Sequence, residues 1–160
     1  MPEVKEYNRR KAVEYARKWA FGRNPAYYDF SAIGGDCTNF ISQCLYAGSG
    51  VMNFTPEVGW YYLNLSDRSP SWTGVEFLYD FLVSNKARGP FATESGMEDM
   101  RLGDVIQLGQ ADRFYHSLLV TGIRDGQLYM AAHTFNAYMR PLSSYTFEKI
   151  RFLHIEGVYE

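Results

Sequence analysis

Apolar residues recur at helical spacing in the first half of the chain and at every second position in much of the second half. The helical spacing predicts three helices, over about 2–21, 36–47 and 73–86. The alternating pattern predicts four strands, over about 104–108, 116–124, 127–134 and 150–155, and the polar stretch 87–100 is expected to be turn and loop. Helices followed by strands predict an α+β fold, in which N-terminal helices pack on a C-terminal antiparallel sheet.

The length of the chain is typical of a single domain, which we expect to span residues 1–160. A chain of this size forms a core without metal or disulfide support. Its 16 Lys and Arg against 18 Asp and Glu give a net charge of −2, which excludes nucleic acid as an expected partner, because proteins that follow phosphate backbones carry a basic surplus. The aromatic fraction of 17% indicates a bulky core, or a core together with a cleft that grips a peptide or sugar.

The chain has no apolar run of the roughly 18–20 residues that cross a bilayer, so no membrane partner is expected. Its first residues lack the charged and apolar regions of a signal peptide, which predicts a cytoplasmic protein. If the chain is a fragment of a longer exported protein, the cell envelope or the exterior is expected instead. The sequence leaves the oligomeric state open.

Two cysteines, Cys37 and Cys44, are too few for a disulfide framework. Seven residues apart in one predicted helix, they would lie about 10.5 Å apart along its axis, beyond the ~7 Å limit for a disulfide. The three histidines, His116, His133 and His154, form no zinc-binding spacing with them. We therefore expect no disulfide, no metal site and no cofactor.

The segment Gly34-Gly35-Asp36-Cys37 opens the second predicted helix. The two glycines allow a tight loop that a substrate backbone can approach, and Asp36 is a favoured N-cap type that places Cys37 at the first helical position. There the helix macrodipole favours a thiolate, and the amides of the first turn can receive an oxyanion. The alternative is that Cys37 is only the first residue of the buried stripe that continues through Cys44.

Two histidines are expected on one face of a predicted hairpin. Asp125-Gly126 is the preferred pair for a two-residue hairpin turn, and the register that it implies places His116 and His133 on the same face, with roughly 7–8 Å between their α-carbons. One imidazole could then act as the base for a thiol while the other orients it. A register slip of one residue would move one ring to the opposite face. His154 is expected to have a structural role.

Several segments of the chain together resemble a known family. They are Tyr7 to Ala16 with Trp19, Asn24-Pro25, Gly34 to Phe40 with Ser42-Gln43, Trp60-Tyr61-Tyr62, Ser71-Trp72-Thr73, Gly103-Asp104-Val105, His116-Ser117 and His133-Thr134. In order and spacing, they are similar to the family named "Putative amidase domain", which belongs to the NlpC-like clan of papain-like bacterial cysteine peptidases. The resemblance spans nearly all of the chain.

This resemblance implies a papain-like fold, in which a helix that carries the cysteine packs against an antiparallel sheet that carries the histidine. It also implies that Cys37 is the nucleophile, His116 the base and His133 the third polar group. Members of the family often carry an aspartate shortly after their His-Thr pair, where this chain has Asn136. His133 and Asn136 therefore both remain candidates for the third catalytic position. The implied substrate is a cell-wall peptide of the peptidoglycan type or a related amide.

The residues and the resemblance lead to the hypothesis of a thiol-dependent amide hydrolase. Asp36, Tyr27, Tyr28 and Trp60 are expected to line its substrate cleft. One alternative is a papain-like module that binds a cell-wall peptide without cleaving it. Another is an acyltransferase that uses the same residues and differs only in its acceptor.

Overall fold

The structure, a computed structural model, describes residues 2–160. The helices are α1 (Arg9–Trp19), α2 (Cys37–Ser49), α3 (Pro70–Thr73) and α4 (Val75–Ser84). The strands are β1 (Val4–Lys5), β2 (Tyr62–Asn64), β3 (Asp67–Arg68), β4 (Gly89–Ser95), β5 (Val105–Gln110), β6 (Arg113–Arg124), β7 (Gln127–Ala132), β8 (Ala137–Pro141) and β9 (Lys149–Tyr159). This combination of helices and sheet confirms the α+β class.

Seven strands form one antiparallel sheet in which β9 has three partners. Strand β4 pairs along one edge of β9, while β5 and β1 pair with different parts of its other edge. From β5 the sheet continues through β6 and β7 to β8. Strands β2 and β3 form a separate two-stranded sheet.

The large sheet is buried on both sides. The helices cover one side, which we call the helix face, where Phe40 of α2 and Leu119 of β6 belong to the same core. On the opposite side, which we call the far face, Leu118 and Val120 pack in a second core together with Leu142. Successive residues of β6 therefore alternate between two cores.

Several boundaries differ from the prediction. The first helix begins at Arg9 because the Asn8 side chain accepts a hydrogen bond (3.0 Å) from the backbone N–H of Lys11 and so caps it. The residues before it include β1, which pairs with β9. The prediction that 87–100 is turn and loop is wrong, because 89–95 forms β4. The sequence pattern does not predict β8 either.

The hairpin of β6 and β7 contains a register shift. Its turn, Asp125-Gly126, has positive φ at both residues (52° and 76°), which confirms the predicted hairpin. Pairing starts in the expected register, with Arg124 opposite Gln127. A β-bulge at Thr121 then shifts the pairing by one residue.

The shift separates two histidines that the sequence predicts to lie together. The ring of His133 stacks on Phe40 and therefore lies on the helix face. His116 pairs with Leu108, a residue of the far-face core, so its ring lies on the far face. The prediction that the two histidines share a face is wrong, because one extra residue in β6 reverses the alternation between them.

Candidate active site

Cys37 is the first residue of α2, as predicted. The loop before it turns sharply at Gly34 and Gly35, whose φ values of 80° and 100° favour glycine. The helix then runs to Gly50, which ends it in the left-handed conformation. The sulfur of Cys37 is thereby held where the positive end of the helix dipole lies.

The carboxylate of Asp36 does not cap this helix. It makes no side-chain hydrogen bond with the first-turn amides of α2. Oδ1 instead accepts hydrogen bonds from the backbone N–H of Phe30 and from Nδ2 of Asn39, both at 2.9 Å, and Oδ2 lies 2.5 Å from Nδ1 of His133. The amides of the first turn, including that of Cys37, consequently have no capping carboxylate. Asp36 is only 1% exposed, so its side chain lies inside the protein, and its contact with substrate stays a prediction.

His133 is fully engaged within the protein. Its ring lies 3.9 Å from the ring of Phe40, nearly parallel to it. Nδ1 donates to Asp36, and Nε2 lies 2.8 Å from the carbonyl oxygen of Trp19 and 3.2 Å from Nη1 of Arg23. With both nitrogens occupied, the ring holds Asp36 in place and has no nitrogen left to orient His116.

Arg23 and Asn136 complete this group on its solvent side. Nη2 of Arg23 donates to Oδ1 of Asn136 (3.2 Å) and to Oγ of Ser31 (3.1 Å). Its Nε lies 3.3 Å from Asp29 and 3.5 Å from Asp36, so it makes ionic contacts with both carboxylates. We call Arg23, Asp36, Asn39 and His133 the Asp36 cluster. Asn136 contacts this cluster through Arg23.

The sulfur of Cys37 lies against the backbone of β6. Sγ is 3.9 Å from the carbonyl oxygen of Tyr115 and 3.7 Å from Oγ1 of Thr38. Burial raises the pKa of the thiol, and hydrogen bonds from the backbone N–H of Ser117 and from Thr38 only partly oppose this effect. The expected lowering of the thiol pKa by the helix dipole is therefore wrong for this resting structure, because desolvation dominates.

His116 lies between the two residues whose backbones touch the sulfur, but its ring points to the far face. The ring centroid is 6.2 Å from that of Tyr145. Burial, and then the positive charge of Arg140, lower the pKa of His116 to about 4, so the imidazole is neutral at neutral pH. Among residues 2–160, no hydrogen bond joins His116 to Cys37 or His133.

The predicted aromatic cleft is largely interior. Trp60 is completely buried, and its Nε1 donates to Oγ of Ser42 (3.1 Å), so its ring belongs to the core and its contact with substrate stays a prediction. Tyr27 is half-buried against Trp72, with ring centroids 6.0 Å apart. Tyr28 alone of the three predicted aromatic contacts has substantial exposed surface.

Sequence reasoning missed four polar residues near the site. Three of them, Thr38, Gln107 and Ser117, are buried, and the fourth, Arg23, is partly exposed. Thr38 and Ser117 stand directly beside predicted catalytic residues, so adjacency was the one available signal. Nothing in the pattern connects Gln107 with them.

The part of the chain from 2 to 160 offers no cluster of His, Cys, Asp or Glu side chains suited to a metal ion. No helix in that part is both long and apolar enough to traverse a membrane. A cavity of about 530 Å³ lies beside α4 and is lined by residues such as Phe77 and Asp80. Cys37 does not line this cavity.

Comparison with known proteins gives a family and a relative. A family model described as "Putative amidase domain" matches residues 6–155. The chain is also 36% identical over 139 residues to a Bacillus subtilis (strain 168) protein named "Uncharacterized protein YhbB". That match covers 84% of this chain and 44% of the relative, so the chain spans less than half of that protein's length. No solved structure matches the chain.

Proposed function

Since the chain belongs to the family described as "Putative amidase domain", we propose that it is an amide hydrolase whose nucleophile is the sulfur of Cys37. The observation that carries this proposal is the first turn of α2. Cys37 occupies the first helical position, and the carboxylate beside it is held away from the helix amides. A sulfur nucleophile and an open amide donor therefore stand at the same helix end.

In the proposed reaction, each bond that forms or breaks involves Cys37, His116 or water. The sulfur attacks the amide carbonyl carbon while His116 accepts the thiol proton. The backbone N–H of Cys37 donates a hydrogen bond to the oxyanion that forms. Collapse breaks the carbon–nitrogen bond, and His116 returns the proton to the leaving amine. Water, deprotonated by His116, then cleaves the thioester and restores the thiol.

The raised pKa of Cys37 and the lowered pKa of His116 favour a neutral pair at rest over a preformed ion pair. Proton transfer then accompanies attack. The sulfur already touches the backbone on both sides of His116, so the proposal requires the imidazole to turn from the far face toward the rim of the sheet. A bulge beside His116 leaves Tyr115 without a partner on β5, so the ladder is interrupted at this point.

The Asp36 cluster has a positioning role in this proposal. His133 holds the carboxylate of Asp36 and so fixes Asp36, the residue directly before the nucleophile. The resemblance to papain-like cysteine peptidases supports a cell-wall peptide, or a related amide, as substrate. Exposed Phe135 follows the loop residue Thr134, whose Oγ1 accepts a hydrogen bond (3.4 Å) from the N–H of Asp36, so an apolar side chain is available beside the site.

The test is hydrolysis of soluble cell-wall peptides by the wild type and by Cys37→Ala. We expect the variant to lose hydrolysis and to keep its fold, because the change removes only the nucleophilic atom. Cys44→Ala is the matched control, since it makes the same chemical change in the buried core of the same helix and should remain active. Wild-type rates in Cys37→Ala would refute the proposal.

A second candidate is the papain-like module that binds a cell-wall peptide without cleaving it. The observation that favours it is the far-face orientation of the His116 ring, which leaves the resting thiol without a hydrogen-bonded base. Peptide binding by a wild type that has no hydrolytic activity would select this candidate. Loss of hydrolysis in His116→Ala, with peptide binding retained, would select the hydrolase.

A further inference from the structure

A continuous row of buried hydrogen bonds ends at the sulfur of Cys37. Nε of Arg151 donates to Oε1 of Gln107 (2.8 Å), and Nε2 of Gln107 donates to Oγ of Ser117 (3.1 Å). Oγ of Ser117 lies 3.0 Å from Oγ1 of Thr38, which lies 3.7 Å from the sulfur. We call Arg151, Gln107, Ser117 and Thr38 the relay. It connects β9, β5, β6 and α2 in one line.

Arg151 determines the direction of the first two hydrogen bonds of the relay. A guanidinium only donates, so the side-chain oxygen of Gln107 faces Arg151 and its amide nitrogen faces Ser117. The carbonyl oxygen of Val75, which accepts from the same nitrogen at 3.0 Å, requires the same orientation. Ser117 therefore accepts from Gln107, and its own hydroxyl hydrogen is available to Oγ1 of Thr38. In that arrangement the hydroxyl hydrogen of Thr38 is left for the sulfur.

Arg151 is held firmly at the start of the relay. Its Nη2 donates to Oε1 of Glu76 (2.6 Å), and its guanidinium carbon lies 3.7 Å and 3.8 Å from the ring centroids of Tyr79 and Phe114. A planar guanidinium between two rings and a carboxylate has little freedom to rotate. Gln107 is completely buried, so an unmade hydrogen bond there would be costly, and its amide keeps one orientation.

We propose that the relay directs the hydroxyl of Thr38 at the sulfur of Cys37 and so stabilises the thiolate formed during attack. This inference rests on the proposed function, because it names the Thr38 hydroxyl as the group that supports the proposed nucleophile, Cys37. Arg151, Gln107 and Ser117 are positioning residues that act through Thr38. In the resting thiol, the S–H hydrogen can point to the carbonyl oxygen of Tyr115 while the sulfur accepts from Thr38.

The surroundings of the sulfur explain why such a donor matters. Burial disfavours the thiolate, and the neighbouring carboxylate of Asp36 disfavours it further. The groups that oppose these effects are the backbone N–H of Ser117 and the hydroxyl and N–H of Thr38. The hydroxyl alone among these can rotate away, so only its direction needs a relay.

The first experiment measures how fast iodoacetamide alkylates Cys37 as a function of pH, with the labelled cysteine identified by mass spectrometry. In Thr38→Val, which keeps the shape of the side chain but loses the hydroxyl, we expect the rate at neutral pH to fall about tenfold and the profile to move to higher pH. Thr38→Ser retains the donor and should follow the wild type. Superimposable profiles for Thr38→Val and the wild type would overturn the proposal.

The second experiment tests whether Gln107 acts through Thr38. In Gln107→Glu the side chain can no longer donate to Ser117, which reverses the row and turns the hydroxyl of Thr38 away from the sulfur. We expect slower alkylation in the wild-type background and no further slowing in the Thr38→Val background. Additive slowing would show that the new charge acts directly on the sulfur, and would overturn the relay.

Ser117→Ala provides the same test without a charge and covers the case in which Gln107→Glu does not fold. We expect alkylation about threefold slower than in the wild type and again no further slowing beside Thr38→Val. Alkylation does not depend on hydrolysis. A relay effect on alkylation without any hydrolysis would therefore refute the proposed function alone, and hydrolysis without a relay effect would refute this inference alone.

Discussion

Two buried carboxylates, Asp36 and Asp104, have closely similar surroundings. Asp36 contacts Nδ1 of His133 and Nε of Arg23, and it accepts a backbone and a side-chain N–H. Asp104 contacts Nδ1 of His154 and Nη1 of Arg9, both at 2.8 Å, and accepts two backbone N–H groups. Each site thus combines aspartate, histidine and arginine.

Their places in the fold differ. Asp104 immediately precedes β5 and connects α1, through Arg9, with His154 of β9, so it fastens a helix to the sheet. Asp36 connects two loops with the start of α2 and lies next to the thiol. An Asp–His–Arg group by itself therefore indicates a stabilising device, and what distinguishes the Asp36 group is its position beside the proposed nucleophile.

The largest expected effect comes from removing each negative charge in turn. Asp36→Asn and Asp104→Asn should each lower the free energy of unfolding by about 3 kcal/mol, because each removes a buried carboxylate from a partly buried arginine and a histidine. Asp36→Asn should also lower hydrolysis about tenfold or more per folded molecule, since it displaces the residue before Cys37. Asp104→Asn should not.

Urea unfolding gives the two stabilities, and rates measured well below both melting temperatures give the two activities. The comparison breaks down if Asp104→Asn loses as much activity as Asp36→Asn under conditions in which both variants are fully folded. It also breaks down if one of the two variants is as stable as the wild type.

A smaller effect concerns His116, the histidine that has no carboxylate partner. Its pKa is lowered from 6.5 to about 4, so the unfolded chain takes up a proton between these pH values before the folded protein does. Stability should therefore be fully present above pH 6.5 and fall as the pH drops toward 4, by about 2 kcal/mol after allowance for partial exposure of the ring. His116→Gln should lack this component.

The measurement is the free energy of unfolding of both proteins at several pH values between 4 and 7.5. Their difference isolates His116 from the other titrating groups. Parallel curves for the two proteins would mean that the ring is solvated, contrary to its place in the far-face core.

The smallest effect is expected at the solvent side of the Asp36 cluster. Asn136 is exposed and meets the cluster only through Arg23, so Asn136→Ala should change the free energy of unfolding by less than about 0.5 kcal/mol. Thermal unfolding of the variant beside the wild type measures this. A loss comparable to that of Asp36→Asn would extend the cluster to Asn136 and weaken the analogy with Asp104.

Features with a local cause could be predicted from the sequence. Asp125-Gly126 determines its own turn, and the positive φ values of Gly34 and Gly35 form the turn directly before α2. Strand β4 could not be predicted, because its sequence has little strand character of its own and depends on pairing with a distant β9.

The candidate site was predictable only in part, for the same reason. The position of Cys37 follows from neighbouring residues, whereas the partner of each histidine depends on an irregularity at Thr121 that no residue type announces. The relay is equally hidden, since Gln107 and Arg151 read as ordinary strand residues until four elements bring them together. Burial, which sets the pKa of the thiol, is also a property of the whole fold.

The irregularity at Thr121 has a consequence for comparing relatives residue by residue. Because one additional residue exchanges the sides on which His116 and His133 emerge, a homologue with a regular hairpin would present its equivalent histidines differently. A gapless alignment across this hairpin equates positions in sequence without equating them in space. To assign the roles of these histidines in a homologue, an alignment must therefore first place any insertion or deletion at the position of Thr121.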